Sequence, residues 1–152
     1  MSIRYNPSKK VNFPANYKTV PWCRAGHYLP ERPDFTLDPL FHAGVYYVQE
    51  ASSMSVAAFL EDEYGSNRNL KILDLCAAPG GKSTALLSWL NGQGFLLANE
   101  VIKSRASILR DSISRWGYAN AAVSSNDPQQ FGRLRETFDV VLVDAQIGRA
   151  HV

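Results

Sequence analysis

The chain has 152 residues, of which 45% are hydrophobic and 20% are charged, a composition typical of one globular domain with an apolar core. Its apolar runs are too short to span a membrane and its polar N-terminus does not resemble a signal peptide, which excludes membrane-spanning and secreted classes and predicts a soluble, cytoplasmic protein. Its two cysteines, Cys23 and Cys76, form no Cys-x-x-Cys pair and have no histidine partners at ligand spacing, so they indicate neither a zinc site nor a disulfide framework.

The net charge of +2 is unevenly distributed, because basic residues concentrate at the front of the chain. Within residues 1–35, six cations accompany two acidic residues and alternate with aromatic side chains. The cations are Arg4, Lys9, Lys10, Lys18, Arg24 and Arg32, and the aromatic residues are Tyr5, Phe13, Tyr17, Trp22 and Tyr28. Interleaved cations and rings suit a single-stranded nucleic acid, through phosphate pairing and base stacking. Composition alone leaves open a second interpretation, a solvated basic surface around a small aromatic core.

The first sixty residues are predicted to form short elements. Prolines punctuate the first forty residues and favour brief strands and turns there. These prolines are Pro7, Pro14, Pro21, Pro30, Pro33 and Pro39. Residues 50–60 contain neither Pro nor Gly, and their pattern predicts an amphipathic helix with Met54, Ala57, Ala58 and Phe59 on one side. Residues 61–69 are predicted to form a polar turn.

The rest of the chain alternates strand and helix patterns. Strands are predicted at 71–75, 95–99, 121–124 and 138–143, with helices at 82–90 and 102–115. This alternation predicts βαβ units with right-handed crossovers, and therefore an α/β fold with a parallel, doubly wound sheet. The first and last strands are almost entirely apolar, which predicts burial on both of their faces.

The turn after the first of these strands belongs to the stretch KILDLCAAPGGKST, residues 71–84. Its GGKST resembles the end of a P-loop, but a Walker A motif requires glycine where Cys76 stands, and adjacent Gly80 and Gly81 do not fit G-x-G-x-x-G. What remains is a glycine turn at the carboxyl end of a strand, where open α/β sheets bind ligands. Asp74 could accept bonds from loop amides or an amine, and the glycines would allow close backbone approach. A ligand with an amine and a carboxylate is expected.

Acidic residues follow all four predicted strands. Asp74 ends the first, Glu100 follows the second, Asp127 lies past the third and Asp144 ends the fourth. We expect the four to line one crevice, with Glu100 where doubly wound folds hold ribose hydroxyls. Together they predict a ligand that contains adenosine but no phosphates. Each could instead be an ordinary cap or turn residue, and for Asp127, which precedes a proline, that alternative stays open.

The same residues resemble a known family. LDLCAAPGGKST closely resembles the S-adenosylmethionine loop of the Nol/Nop/Sun RNA cytosine-5 methyltransferases. Upstream, three stretches are similar to the N-terminal RNA-binding segment and the following helix of the bacterial ribosomal RNA branch. They are SIRYNP (2–7), VPWCRAGHYL (20–29) and FHAGVYYVQEASSM (41–54). Downstream, two stretches are similar to the family's ribose, adenine and fourth-strand motifs. They are residues 98–131, ANEVIKSRASILRDSISRWGYANAAVSSNDPQQF, and residues 138–145, FDVVLVDA. The resemblance covers residues 2–145.

The resemblance implies a fold, a cofactor and a set of binding residues. The fold is that of a Rossmann-like class I methyltransferase. Residues 43–145 would form the N-terminal half of its domain, with the first four strands, and a partial RNA-binding segment at 1–42 would precede it. S-adenosylmethionine is implied as cofactor, with its methionine end wrapped by Cys76, Ala77, Ala78, Pro79, Gly80, Gly81 and Lys82. Glu100 would hold the ribose, Asp127 the adenine amine, and Asp144 would lie between cofactor and target base. Arg105 would brace Glu100, unless it is simply a solvated helix residue.

One family feature is absent. Family members add a cysteine thiolate to carbon 6 of cytosine before methyl transfer to carbon 5, and they follow the Asp-Ala pair with Pro-Cys. Here Asp144-Ala145 continue into Gln146, so no catalytic nucleophile is predicted and the chain as printed is expected to be inactive. The last six residues, IGRAHV, are encoded by ATCGGAAGAGCACACGTC, a string that resembles sequencing-adapter DNA. Residues 146–152 are therefore expected to be a non-native tail of a truncated enzyme.

Two other functions stay open. A non-catalytic RNA-binding module would account for the basic front and for the missing cysteine, but it would not need the acidic residues in register. A small-molecule methyltransferase would share the sheet and the ribose acid, but it would not need the basic aromatic front. The favoured prediction is an RNA methyltransferase that acts on cytosine carbon 5, with ribosomal RNA as its partner.

Overall fold

The structure, a computed structural model, describes residues 1–10, 17–32 and 34–145. Phe13, Pro14, Pro33 and the expected non-native tail 146–152 lie outside these residues. Two four-stranded sheets are present in the described part of the chain. No helix in this part is long and apolar enough to cross a membrane.

The N-terminal sheet is antiparallel. Its strands are β1 (Ser2–Tyr5), β2 (Lys18–Val20), β3 (Cys23–Tyr28) and β4 (Tyr46–Val48), in the order β2-β3-β1-β4, with helix α1 (Pro39–His42) before β4. The proline-punctuated sequence therefore folds as short strands and turns, as predicted. Ile3, Tyr5, Val45 and Tyr46 form its small buried cluster. The division between 42 and 43 stays a prediction, although this sheet extends to Val48.

The second sheet is parallel and carries the helices predicted from the sequence. Its elements are β5 (Lys71–Asp74), α3 (Gly81–Leu90), β6 (Phe95–Asn99), α4 (Lys103–Trp116), β7 (Ala121–Ser124) and β8 (Val140–Leu142), with a 3₁₀ helix at Pro128–Arg133. The strand order is β7-β6-β5-β8, and β8 pairs beside β5 as a doubly wound sheet requires. The predicted parallel α/β architecture is confirmed.

The main core lies under α3 and α4. Ile72, Leu96 and Ala98 project from β5 and β6 into this core, where Leu87 and Leu109 are fully buried. The apolar first strand is buried as predicted. The same prediction is wrong for the fourth strand, because Val141 is 54% exposed and no described strand pairs with the outer edge of β8.

The predicted helix at 50–60 is displaced. A 3₁₀ helix, Ser52–Ser55, precedes helix α2, Val56–Tyr64, so four residues predicted as turn are helical. Met54 is buried as predicted, but Phe59 is 71% exposed and Leu60 is buried in its place. The tighter 3₁₀ turn changes the rotation of the side chains that follow it, which uniform helical spacing cannot anticipate.

Candidate functional site

The glycine turn joins β5 to α3. Gly80 caps α3 with φ of +110°, a conformation that side-chain-bearing residues avoid. A Cβ at Gly80 would lie 2.9 Å from Ser112 Cβ on α4, and one at Gly81 would lie 3.3 Å from Tyr47 Cε1. The turn thus needs these glycines for its backbone geometry and for close packing against protein neighbours. The close approach of a ligand to these glycines stays a prediction.

Asp74 lies beneath the turn. Its side chain accepts a hydrogen bond of 2.6 Å from Ser83 Oγ, and the residue is only 1% exposed. Burial raises the pKa of Asp74 to about 6, against the opposing effects of the Ser83 hydrogen bond and of Lys82. The expectation that all four acidic residues line one open crevice is therefore wrong for Asp74, which instead supports the turn from below.

Glu100 lies at the end of β6 and is connected to the turn through Arg105. Glu100 Oε1 accepts from the Ile102 amide at 3.0 Å, while Oε2 lies 3.6 Å from Arg105 Nη1. Arg105 Nη2 also donates to the Ala78 carbonyl at 3.1 Å. The predicted contact between Arg105 and Glu100 is confirmed. It holds a nearly buried carboxylate beside the turn that follows β5.

Asn99 connects the ends of three strands, and sequence reasoning missed it. Its Nδ2 donates to the Leu75 carbonyl (3.3 Å) and to the Asn126 carbonyl (3.0 Å), and its Oδ1 accepts from Ser124 Oγ at 2.8 Å. The Ala77 amide donates to the Asn99 carbonyl at 2.8 Å. The signal in the sequence was one polar residue in an otherwise apolar strand, directly before Glu100. In the structure Asn99 is fully buried, and its side chain is hydrogen-bonded as burial requires.

Asp127 occupies the cap position that the sequence left open. Its Oδ1 accepts from the Gln129 amide at 2.8 Å and thereby caps the 3₁₀ helix Pro128–Arg133. Asp127 is exposed, and it follows Asn126, which Asn99 holds next to β6. Its second carboxylate oxygen is not used by this cap.

A cleft opens on the side of the turn that is nearer to the N-terminal sheet. Its volume is about 230 Å³, and it is lined by Tyr47, Val48, Gln49, Ser53, Ala77, Ala78, Pro79, Gly81, Lys82 and Asp144. Lys82 and Asp144 form an ion pair within its lining. Of the predicted cofactor residues, Ala77, Ala78, Pro79, Gly81, Lys82 and Asp144 line the cleft, while Cys76, Gly80, Glu100 and Asp127 do not. Tyr47 and Gln49 were not predicted for this site.

The basic front is only partly available to a partner. Arg4 is 2% exposed, so its assignment to a basic surface is wrong, and Tyr5 is likewise buried at 8% exposure. Arg4 donates to Thr84 Oγ1 (2.6 Å) and to the Gly81 carbonyl (3.2 Å), and burial lowers its pKa to about 10. The exposed members of the predicted surface are Lys10, Lys18, Arg24, Arg32 and Trp22.

Cys76 begins the turn in surroundings that disfavour a thiolate. Burial raises the pKa of the Cys76 thiol, and the negative charges of Glu100, Asp74 and Asp144 raise it further. The thiol is therefore held in its protonated form, which suits a binding role better than nucleophilic attack. No group of His, Cys, Asp and Glu side chains that could hold a metal occurs in the described part of the chain.

The parallel sheet, the glycine turn and the acidic residue after β6 define a Rossmann-like methyltransferase. The model of the family "16S rRNA methyltransferase RsmB/F" matches residues 63–149, and that of the "N-terminal domain of 16S rRNA methyltransferase RsmF" matches residues 1–51. Because the first match covers more than half of the chain, this chain belongs to the RsmB/F family of 16S rRNA methyltransferases. The predicted membership of the Nol/Nop/Sun methyltransferases is confirmed.

Curated relatives agree with this assignment. Ribosomal RNA small subunit methyltransferase F of Citrobacter koseri is 43% identical over 132 residues, which are 83% of this chain and 27% of the relative. The protein of the same name from Shewanella halifaxensis is 37% identical over 140 residues, 86% of this chain and 29% of the relative. The chain therefore spans less than a third of the length of these relatives.

Solved structures agree in fold. A methyltransferase homolog from Pyrococcus horikoshii has a TM-score of 0.80 and 30% identity, with 95% of this chain and 50% of that chain covered. NSun6 from Pyrococcus horikoshii, determined with SFG, has a TM-score of 0.67 and 30% identity, over 76% of this chain and 29% of that chain. The Rossmann-like methyltransferase fold predicted from the sequence is thus confirmed.

Proposed function

We propose that this chain is the cofactor-binding part of a cytoplasmic enzyme that methylates carbon 5 of cytosine in ribosomal RNA. S-adenosylmethionine is the methyl donor of this family and, when bound, supplies a methyl group on a positively charged sulfur. The proposal is carried by one observation, the nearly buried Glu100 carboxylate that Arg105 ties to the turn after β5. This arrangement would place the carboxylate that binds the two ribose hydroxyls next to the turn that binds the rest of the cofactor.

The residues present fit such a cofactor electrostatically. Glu100, Asp74 and Asp144 all act on Cys76 as negative charges and raise the pKa of its thiol. A site with this field favours cations, and both the sulfonium and the amine of S-adenosylmethionine are cationic. Lys82 offsets part of the field because it is paired with Asp144. A phosphate-bearing nucleotide would be disfavoured by the same three carboxylates.

Each predicted binding residue receives a role on this proposal. Glu100 uses Oε1 for the Ile102 amide, which leaves Oε2 to accept from ribose hydroxyls. Asp127 uses Oδ1 for its cap, which leaves Oδ2 for the adenine amine. The segment Cys76–Lys82 would surround the methionine end. Asp144, paired with Lys82, would lie between the cofactor and the target base.

RNA binding is proposed for the exposed part of the N-terminal sheet. Lys18, Arg24 and Arg32 are exposed cations, and the Trp22 ring is 44% exposed with its Nε1 held by the Ala51 carbonyl at 2.8 Å. Such a combination suits a single strand, through phosphate contacts and stacking. A non-catalytic RNA-binding module would use the same surface, but it would have no use for the Glu100–Arg105 arrangement.

A chimera tests the proposal. Residues 1–145 are fused to the part of the Citrobacter koseri relative that follows the position aligned with Ala145. Ribosomal RNA that lacks the family's modification is then incubated with the chimera and labelled S-adenosylmethionine. Bisulfite sequencing is expected to show methylation at cytosine carbon 5, and Glu100→Ala is expected to abolish most of it. Cofactor binding without transfer to RNA, in a chimera that is folded, would contradict the proposed substrate.

A further inference from the structure

Gln49, which directly follows β4, has a side-chain donor that finds no partner among the described residues. Its Oε1 accepts from Arg4 Nε at 3.1 Å. Its Nε2 is buried and finds no hydrogen-bond partner in residues 1–10, 17–32 and 34–145. Arginine only donates, so the oxygen must be the atom next to Arg4 and the amide cannot be turned over. An unpaired buried donor costs free energy unless a ligand satisfies it.

The surroundings of Gln49 are those of a binding site. Gln49 lines the cleft with Tyr47, whose hydroxyl donates to the Pro79 carbonyl at 3.2 Å. Rings and small apolar groups, such as Tyr47, Pro79 and Ala78, form most of the wall. A few polar groups also line it: Gln49, Ser53 and the Lys82–Asp144 pair. Sites of this composition hold planar organic groups and orient them by a few hydrogen bonds.

We propose that Gln49 Nε2 donates a hydrogen bond to an acceptor on a pyrimidine base of the RNA held in this cleft, an inference that rests on the proposed function. Cytosine presents two adjacent acceptors, its carbonyl oxygen and ring nitrogen, on the edge used for pairing. Enzymes that act on a base read that edge by hydrogen bonds and enclose the ring between apolar or aromatic side chains.

The position of the cleft suits a base that lies beside the methionine end of the cofactor. Glu100 and Asp127, the residues proposed for ribose and adenine, do not line it, whereas part of the turn proposed for the methionine end does. Asp144, proposed to lie between cofactor and target base, also lines it. Its other wall comes from β4, which belongs to the sheet proposed to bind RNA. About 230 Å³ is also less than the usual size of a site for a whole drug-sized ligand, whereas a single base is a smaller group.

Arg4 is the positioning residue of this arrangement. Besides Gln49, it donates to Thr84 Oγ1 at 2.6 Å, and its guanidinium lies 4.6 Å from the centre of the Trp116 ring. Arg4 is therefore fixed from several sides and in turn fixes Oε1 of Gln49. Because Arg4 holds Oε1, it also limits the positions open to Nε2, which reduces the entropy that Gln49 would lose on binding.

The decisive variant is Gln49→Glu in the 152-residue chain. The new carboxylate still accepts from Arg4, but it has no donor to replace Nε2. The probes are two labelled oligoadenylates, one with a central cytidine and one with an abasic nucleotide there, and their binding is measured by fluorescence anisotropy. The wild-type chain is expected to prefer the cytidine probe, and Gln49→Glu is expected to reduce that preference about tenfold, the effect of one lost hydrogen bond. Gln93→Glu, the same change at an exposed site, is expected to leave it unchanged.

A second measurement needs no variant. In the wild-type chain, the side-chain amide resonance of Gln49 is followed by nuclear magnetic resonance while cytidine is added. A saturable shift of that resonance is expected. An unmoved resonance at saturation, a wild-type chain without cytidine preference, or an unchanged preference in Gln49→Glu would each overturn the inference.

Cofactor binding separates this inference from the proposed function. S-adenosylmethionine affinity is measured by calorimetry for the wild type and for Gln49→Glu, and the two are expected to agree within about twofold. A loss of cofactor affinity with an unchanged cytidine preference would assign Gln49 to the cofactor and overturn the inference. A wild-type chain that prefers cytidine but does not bind S-adenosylmethionine would contradict the proposed function and leave the role of Gln49 intact.

Discussion

Replacing Glu100 by alanine should weaken S-adenosylmethionine binding far more than it destabilises the protein. Glu100 is 5% exposed, and its Oε1 is occupied by the Ile102 amide, so Oε2 is the atom left for a ribose hydroxyl. A hydrogen bond to a charged group contributes about 1.5–3 kcal/mol. The dissociation constant is therefore expected to rise roughly tenfold to 150-fold. Isothermal titration calorimetry on the 152-residue chain, or on the chimera, measures this directly.

The cost to folding is expected to be smaller. Glu100→Ala leaves the Ile102 amide, at the start of α4, without its acceptor, which costs about 1 kcal/mol. Glu100→Gln keeps that acceptor and removes only the charge, so it is expected to preserve the melting temperature and to lose less affinity. If Glu100→Ala binds the cofactor within about twofold of the wild type while remaining folded by circular dichroism, the ribose role of Glu100 is refuted.

Three further changes test the supports of the site. Arg4→Met should lower the free energy of unfolding by about 2–4 kcal/mol in urea titrations, because Gln49 Oε1 and other buried acceptors lose their donor; an unchanged midpoint would contradict this. Burial raises the pKa of Asp74 from its ordinary 3.8 to about 6, so the folded state binds a proton on Asp74 more tightly than the unfolded state does. The free energy of unfolding of the wild type should therefore fall as pH rises from about 4 to about 6. Asp74→Asn should remove that slope and be more stable at pH 8 by up to about 3 kcal/mol, whereas parallel pH profiles of melting temperature would exclude the shift. Gly80→Ala should destabilise by about 2 kcal/mol or more, since φ is +110° and the new Cβ would lie 2.9 Å from Ser112 Cβ; a melting temperature equal to that of the wild type would show that the turn adapts.

Much of the parallel sheet was predictable because its signals are local. Strands β6 and β7 occupy the predicted residues 95–99 and 121–124, since apolar runs bounded by turn residues mark their ends. The glycine turn and Glu100 were predictable for the same reason, because each directly follows a strand. The contact between Arg105 and Glu100 was also predictable, because Glu100 shortly precedes α4 and Arg105 lies in its first turn.

What could not be predicted depends on distant partners. From the sequence alone, Arg4 is expected to be a surface cation. It is buried because it contacts α3, about eighty residues later in the chain. Gln49 carries no local signal that its amide nitrogen lacks a partner in the part of the chain that the structure describes. The exposure of Phe59 follows from the 3₁₀ turn before α2, and that of Val141 from the edge position of β8. Periodicity reports which residues are apolar, but not which element covers them.

The contacts between β1 and the helices of the parallel sheet also affect how the chain reaches its native state. Asn6 Nδ2 donates to the Trp116 carbonyl at 2.8 Å, across 110 residues of sequence. During synthesis, Asn6 leaves the ribosome long before Trp116 does, so the N-terminal sheet must remain incompletely packed until α4 has been made. Contacts of such high sequence separation slow folding, because the entropy of closing the chain is lost before they form. The nascent N-terminal segment, with Arg4 still hydrated, is therefore exposed to chaperones and proteases until α4 has been synthesised.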